Sequence, residues 1–124
     1  RRNSKVSWLL FTAWGSAILW LSLTPFPPVV KAGLLGWDKF QHALAYGIFT
    51  MLAGRAFFIF PVSTRRRWMI AVIVAVSFGG FLEIAQWMFT KTRTAEFNDL
   101  VADFVGALFV YLTVMTAASC RGRR

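Results

Sequence analysis

Five acidic side chains and one histidine are the residues of this chain with the greatest capacity for chemistry. The chain has 5 acidic residues and 1 histidine among its 124 residues, and they are Asp38, His42, Glu83, Glu96, Asp99 and Asp103. Carboxylates and imidazole exchange protons, form hydrogen bonds and coordinate divalent cations. An ionisable group in an apolar membrane segment costs on the order of 2.5 to 3.5 kcal/mol at mid-depth, so it usually faces a partner or a wet cavity. These residues are therefore the first candidates for a functional site.

The spacing of the polar residues places them on three helix faces. Residues three or four positions apart lie on the same side of an α-helix. Three series have this spacing: Asp38, His42, Tyr46, Phe49 and Ala53; then Gly79, Glu83 and Gln86; then Asp99, Asp103, Gly106 and Val110. Glycine on such a face allows neighbouring membrane helices to approach closely. We therefore expect the three faces to point toward one another, with Gly79 and Gly106 at helix contacts.

Four long apolar segments must carry these faces. Each is about 18 to 22 residues long, enough to cross a hydrocarbon core of about 30 Å. The predicted helices cover about residues 6–23, 40–60, 68–89 and 100–119. Proline-rich, arginine-rich and polar stretches separate them. We predict an all-α integral membrane protein, with four transmembrane helices joined by short loops in a single domain over residues 1–124.

The first segment differs from the other three because it has no polar stripe. A basic stretch precedes it, as in a secretory signal peptide, but no small-x-small cleavage pattern follows it. We therefore expect a retained helix that serves as scaffold.

The composition indicates lipid as the main solvent and excludes several other classes of protein. Hydrophobic residues make up 57% of the chain and charged residues only 15%, whereas a soluble domain has about 25% charged residues. A disordered chain and a coiled coil are excluded by the same figures. The single cysteine, Cys120, excludes an intramolecular disulfide. The lipid bilayer is therefore the first predicted partner.

The net charge of +9 is explained by its position along the chain. Most of the basic residues lie at the two termini and in the segment 65–67, which we expect to be a loop. By the positive-inside rule, both termini and this loop are cytoplasmic. The acidic residues then lie on or toward the opposite side, where the bundle should form a polar funnel that opens outward. This topology accounts for the basic residues without nucleic acid, so we predict no nucleic-acid partner. Four tryptophans near segment ends are assigned to membrane anchoring, namely Trp8, Trp37, Trp68 and Trp87.

The order of the polar residues resembles a known family. Asp38-Lys39-x-x-His42-x-x-x-Tyr46 opens one helix, Glu83-x-x-Gln86 closes the next, and Arg93, Asp99, Asp103 and Gly106 follow in order. From about Asp38 to Leu112 the chain resembles the VanZ-like family of small bacterial integral membrane proteins, whose founder is named for low-level resistance to the glycopeptide teicoplanin. The resemblance implies a multi-pass protein of the bacterial cytoplasmic membrane that acts in the cell envelope. Its polar signature then comprises His42, Tyr46, Glu83, Gln86, Arg93, Asp99, Asp103 and Gly106. Asp103 departs from the family pattern, because many members have asparagine there.

These observations lead to a hypothesis about function. We expect an outward-facing polar pocket made by His42, Tyr46, Glu83, Gln86, Asp99 and Asp103, with Arg93 at its rim. The pocket would bind a polar or anionic group of an envelope component and so modify the response to glycopeptide antibiotics. One alternative is a membrane enzyme acting on a lipid-linked envelope precursor, although no nucleophile is placed for activation by His42 and no catalytic residue is identified. Another is a proton- or ion-coupled subunit in a homo-oligomer or larger membrane complex.

The same residues also have purely structural interpretations. Glu83 and Gln86 can hold helix three against helices two and four through hydrogen bonds, and Asn98 is the expected N-cap of helix four. His42 can bond to Asp38 one turn earlier. His42, Glu83 and the two aspartates of helix four have the residue types of a divalent metal site. Because the chain has neither an H-E-x-x-H motif nor a cysteine cluster, we predict no metal and no cofactor.

Overall fold

The structure is a computed structural model that describes residues 3–29, 33–92 and 94–123. Within these ranges the chain forms four long helices and no strand: α1 (Ser4–Leu23), α2 (Asp38–Ala56), α3 (Thr64–Phe89) and α4 (Phe97–Gly122). Short 3-10 turns lie before and after α2, at Gly33–Gly36 and Phe57–Ile59. All four helices are long and apolar enough to cross a membrane. The predicted all-α fold with four membrane-spanning helices is confirmed, and the side on which the termini lie stays a prediction.

The helix ends differ from the predicted ones. The segment 65–67, which we expected to be a loop, forms the first turn of α3. There Arg67 is buried, and its guanidinium lies 4.9 Å from the centre of the Phe58 ring. α4 is longer than predicted at both ends, whereas α2 ends at Ala56 and gives way to a 3-10 turn. Apolar length indicates which residues lie in lipid, but backbone hydrogen bonds decide where a helix stops.

The starts of α1 and α3 are capped by side chains, and the starts of α2 and α4 are not. Asn3 accepts hydrogen bonds from the backbone of Lys5 and Val6 at the start of α1, and Ser63 accepts one from Arg66 at the start of α3. The expected cap of α4 by Asn98 is wrong. Glu96 occupies that N-cap position without a side-chain cap hydrogen bond, because the helix begins one residue before Asn98.

The central helix of the bundle is α2, which contacts all three other helices and has its largest interface with α4. Small residues make this interface possible. A methyl group at Gly106 would overlap the backbone carbonyl of Ala43, and one at Gly47 would lie 3.4 Å from the Gly106 carbonyl oxygen. The two backbones are thus nearly in contact, which brings the preceding turn of α4 close to the first turns of α2.

Aromatic side chains join α1 to α2 and α3. Phe49 stacks on Phe11 and on Phe78, with ring centres 5.0 Å apart in both pairs. The indole N–H of Trp14 donates a 2.9 Å hydrogen bond to the Ala45 carbonyl of α2. These contacts fix α1 against α2 in the middle of the bundle.

The tryptophans near segment ends were predicted to be membrane anchors, and they differ in how exposed they are in the structure. Trp37 and Trp87 are exposed at the end of the bundle where α2 begins and α3 ends, as expected for interfacial anchors. Trp8 is half-buried against Phe57, and Trp68 is only 6% exposed because its ring packs on the surface left open by Gly54. For Trp68 the anchoring interpretation is wrong, since position near a helix end does not show which way a ring points.

Candidate functional site

The acidic side chains gather at one end of the bundle, where α2 and α4 begin and α3 ends. We call this region the acidic end and define it by Asp38, Glu83, Glu96, Asp99 and Asp103. The close approach of α2 and α4 near Gly106 brings the first turns of these helices together there. Three helices therefore supply ionisable groups to one small region.

His42 links α2 to α4 through its two ring nitrogens. Its Nδ1 lies 2.9 Å from Oδ1 of Asp103, within hydrogen-bond distance. Its Nε2 lies 3.6 Å from Oδ2 of Asp99 and 3.9 Å from Oδ1 of Asp38, which is too far for hydrogen bonds. The ring is thus oriented through Nδ1, while Nε2 faces two carboxylates. This residue, predicted to be a pocket member, lies at the centre of the acidic end and is 20% exposed.

Lys39 is the counter-ion of the acidic end, a role that the sequence interpretation missed. Its ammonium group donates to Asp99, to Glu96 at 2.7 Å and to Asp38 at 3.3 Å. On Asp38 and Asp99 it binds one carboxylate oxygen, and the other oxygen of each faces His42. Asp38 is the neighbour of Lys39 in the sequence, but Glu96 and Asp99, near the start of α4, come close to Lys39 only in the folded structure.

Asp103 is the most deeply buried carboxylate, with 1% of its side chain exposed. It lies against Gly79 of α3, where a methyl group would overlap its Oδ2 and would lie 3.2 Å from the Tyr46 ring. Within the described residues, Oδ2 of Asp103 has no hydrogen-bond partner, so its contact with His42 is the main compensation for its burial. Tyr46 is buried beside it, with its ring parallel to that of His42.

Glu83 and Gln86 lie on α3 and bind two different neighbours. Glu83 accepts a 2.9 Å hydrogen bond from the backbone N–H of Glu96 at the start of α4. Gln86 is buried and donates a 2.9 Å hydrogen bond to the Ser22 carbonyl of α1. The structural interpretation of this pair expected hydrogen bonds to helices two and four. The bond of Glu83 to the start of α4 agrees with it, whereas Gln86 binds α1.

A cavity of about 600 Å³ lies between the C-terminal part of α1 and the first half of α2. It is lined by Ile18, Leu21, Ser22, Pro27, Pro28, Val29, Gly36, Asp38, Gln41, His42, Ala45 and Tyr46. Of the residues predicted to form a pocket, His42 and Tyr46 line this cavity. The other described members, which are Glu83, Gln86, Asp99 and Asp103, are absent from its lining, and Arg93 falls outside the described residues.

Two aspects of this cavity were not predicted. The first helix forms one wall, although it has no polar stripe, and its role as scaffold stays a prediction. The proline-containing segment after α1 forms another part of the lining. The absence of polar periodicity in α1 gave no signal for either feature, because apolar residues and Ser22 supply that wall.

The chemistry available at the acidic end is proton exchange, hydrogen bonding and cation binding. Asp38, His42 and Asp99 each offer one ligand atom, and these three atoms lie within 4.8 Å of one another. Within the described residues, the hydrogen bond of His42 goes to a carboxylate rather than to a hydroxyl or thiol. The arrangement therefore lacks the paired nucleophile and base of a hydrolase triad.

Comparison with known proteins adds one result. A family model, VanZ/LLP1, matches residues 2–118, a span that includes α1, α2, α3 and nearly all of α4. No curated protein and no solved structure matches the chain. The resemblance indicated by the ordered polar residues is thereby confirmed, and the chain belongs to the VanZ/LLP1 family.

Proposed function

We propose that this membrane protein binds the polar headgroup of a lipid-linked envelope component in the cavity between α1 and α2. The observation that carries the proposal is the cavity itself, since its volume of about 600 Å³ is typical of ligand sites. Binding there would alter the access of teicoplanin-type glycopeptides to that component, which connects the cavity with the resistance phenotype after which the founder of the family is named.

The walls of the cavity suit an amphiphile. Ile18, Leu21 and Val29 supply apolar surface, while Gln41 and His42 supply polar groups. From Asp38 to Tyr46 the lining follows α2 for about 12 Å, given a rise of 1.5 Å per residue. A headgroup can therefore enter beside the first turn of α2 while its hydrocarbon part stays against the apolar wall.

The charges around the cavity select among headgroups. Asp38 lines it, and the ammonium group of Lys39 is already bound by three carboxylates. Among the described residues, this excess of carboxylates favours a headgroup that presents hydroxyl, amide or ammonium donors, as a sugar or peptide does. The anionic group that the sequence hypothesis allowed depends on Arg93, which lies outside the described residues.

The test adds bulk inside the cavity without changing its charge. Ala45 lines the cavity, whereas its neighbour Leu44 is exposed on the outside of the same helix. Cells lacking the gene would express the wild type, Ala45→Leu or the matched control Leu44→Phe. Membrane abundance and teicoplanin susceptibility would be measured in each strain. We expect Ala45→Leu to accumulate normally without protecting the cells, and Leu44→Phe to protect like the wild type.

Two outcomes would contradict the proposal. One is full protection by Ala45→Leu at wild-type abundance, because the larger side chain takes space in the cavity that the headgroup would occupy. The other is equal loss of protection in both variants. Variants Glu83→Gln and Asp103→Asn, which conserve shape and remove an ionisable group, show in the same assay whether ionisation at the acidic end contributes.

The enzyme alternative has less support from the geometry. In the described part of the chain, both ring nitrogens of His42 face carboxylates, so its surroundings do not activate a hydroxyl nucleophile. Glu83, another ionisable group of the acidic end, accepts a hydrogen bond from the start of α4 and is absent from the cavity lining.

A further inference from the structure

We propose that Asp38, His42 and Asp99 form a binding site for a first-row divalent cation of the zinc or manganese type. The ligand atoms are Nε2 of His42, Oδ1 of Asp38 and Oδ2 of Asp99, contributed by α2 and α4. One imidazole nitrogen and two carboxylate oxygens are ligands that such cations accept.

The distances fit a shared ion better than they fit direct bonds. Atoms bound tetrahedrally to one ion at about 2.0–2.1 Å lie about 3.3 Å apart. Nε2 of His42 is 3.6 Å from Oδ2 of Asp99 and 3.9 Å from Oδ1 of Asp38. These distances are too long for hydrogen bonds and longer than the ligand spacing, and all three ligand atoms lie within 4.8 Å of one another. Asp38 is 62% exposed, so little packing opposes movement of its side chain toward the other two ligands.

Groups behind the three ligands orient them as outer-shell groups do in metal sites. A metal-bound histidine usually donates its other ring N–H to a carboxylate. Oδ1 of Asp103 lies 2.9 Å from Nδ1 of His42, in position to accept such a hydrogen bond. Lys39 binds Oδ2 of Asp38 and Oδ1 of Asp99, which leaves the other oxygen of each carboxylate facing Nε2 of His42. All three ligands are therefore held from behind by residues other than the ligands themselves.

The buried carboxylate of Asp103 is a further group that a positive charge at this place would stabilise. It is 1% exposed, and its Oδ2 has no hydrogen-bond partner among the described residues. Positive charge nearby would stabilise the ionised form of a carboxylate so buried, and Lys39, among the described residues, is engaged by three other carboxylates. An ion on Nε2 of His42 would place positive charge one imidazole ring away from Asp103.

The location gives the site an open side. Asp38 and His42 also line the cavity between α1 and α2, whereas Asp99 lies behind them on α4. Three protein ligands leave a coordination position free, as in catalytic rather than structural zinc sites. An ion here would face the cavity and could coordinate an oxygen of whatever molecule enters it. The metal site does not depend on the proposed headgroup binding, because its ligands are complete without the headgroup.

A protonated His42 is the competing explanation for three carboxylates around one ring. To distinguish the two, the full chain is purified in detergent, treated with a chelator, and equilibrated with Zn²⁺, Mn²⁺ or Mg²⁺ in separate samples. Bound metal is then measured by elemental analysis after gel filtration. With Co²⁺ as a spectroscopic probe, visible absorption bands report nitrogen and oxygen coordination.

The variants are matched within the acidic end. Asp38→Asn removes a ligand charge on an exposed side chain, whereas Glu96→Gln removes an equivalent charge that binds Lys39 and is not a ligand. We expect one Zn²⁺ or Mn²⁺ per wild-type chain and little Mg²⁺. Asp38→Asn should bind about tenfold or more weakly, and Glu96→Gln should weaken binding less than Asp38→Asn does, because Glu96 supplies no ligand atom. Gel-filtration profile and helical content confirm that each variant is folded.

Three results would overturn the proposal. They are less than one tenth of an equivalent of metal in the wild type, equal affinity of the wild type and Asp38→Asn, and equal loss in Asp38→Asn and Glu96→Gln. The variant Ala45→Leu, which adds bulk inside the cavity, separates this proposal from the previous one. It should bind metal normally even if it abolishes protection, so either proposal can fail alone.

Discussion

Gly106→Ala tests the close approach of α2 and α4, on which the geometry of the acidic end depends. A methyl group at Gly106 would lie 2.7 Å from the carbonyl carbon of Ala43 and 2.9 Å from its Cα. Ordinary carbon contacts begin at about 3.4 Å, and the carbonyl oxygen of Ala43 lies nearer still, so the helices must separate by at least about 0.7 Å at this point. Backbone atoms of Ala43 are the obstacle, and no side-chain rotation can relieve the overlap.

The expected cost follows from that displacement. Overpacking of a tight interface destabilises by about 1–3 kcal/mol. Separation by about 0.7 Å would lengthen the His42–Asp103 contact from 2.9 Å to about 3.6 Å, beyond hydrogen-bond range, and cost about 1 kcal/mol more. Alanine returns about 1 kcal/mol through its higher helix propensity. We therefore expect a net loss of about 1–3 kcal/mol, or about 5- to 150-fold in the unfolding equilibrium.

The assay is the free energy of unfolding in mixed detergent micelles, with helical content followed during titration by sodium dodecyl sulfate. Gly80→Ala is the matched control, since the nearest atom that its methyl group would meet is 4.0 Å away. This control should be as stable as the wild type or slightly more stable. Gly47→Ala should fall between the two, because its methyl group would lie 3.4 Å from the nearest atom. Equal stability of Gly106→Ala and Gly80→Ala would refute the close approach and the site geometry built on it.

Three further substitutions or labels test other parts of the fold. The added methyl group of Gly54→Ala would overlap the Trp68 ring and should lower the free energy of unfolding by about 1–3 kcal/mol. The double variant with Trp68→Leu should lose less stability than the sum of the two single variants, and additive losses would argue against this contact. Gln86→Met should lower stability by about 1 kcal/mol because it removes the hydrogen bond to the Ser22 carbonyl. Ser22→Ala retains that backbone carbonyl and should be nearly neutral, so equal effects of the two variants would contradict this hydrogen bond. Cys120 is exposed, and the positive-inside rule places it in the cytoplasm. It should therefore react with a membrane-impermeant thiol reagent only after cells are permeabilised. Labelling of Cys120 in intact cells would show that the predicted orientation is wrong.

Much of the fold could be predicted from apolar length and helical spacing. The spacing of Asp99, Asp103 and Val110 predicted one inward face of α4, and all three are buried. The corresponding face of α2 includes Tyr46 and Phe49, which are also buried. Such a prediction succeeds because lipid cannot satisfy carboxylates, so a helix that carries them turns that face toward other helices.

The partners of each face could not be predicted in the same way. Gln86 binds the Ser22 carbonyl, which is 64 residues away and belongs to a helix without a polar stripe. Lys39 binds Asp99 across 60 residues, and its role as counter-ion was missed. Periodicity indicates which side of a helix is turned inward, but it does not indicate which neighbour lies there.

The sequence established the number of helices, their apolar character and the faces that carry ionisable groups, since each of these properties is local to one segment. Tertiary packing determined that α1 closes a cavity with α2 and that His42 lies between carboxylates from two helices. Lipid provides little hydrophobic force to pair one membrane helix with another. Pairing is decided by close packing at small residues such as Gly106 and by hydrogen bonds between distant segments, and these become apparent only when the helices are assembled.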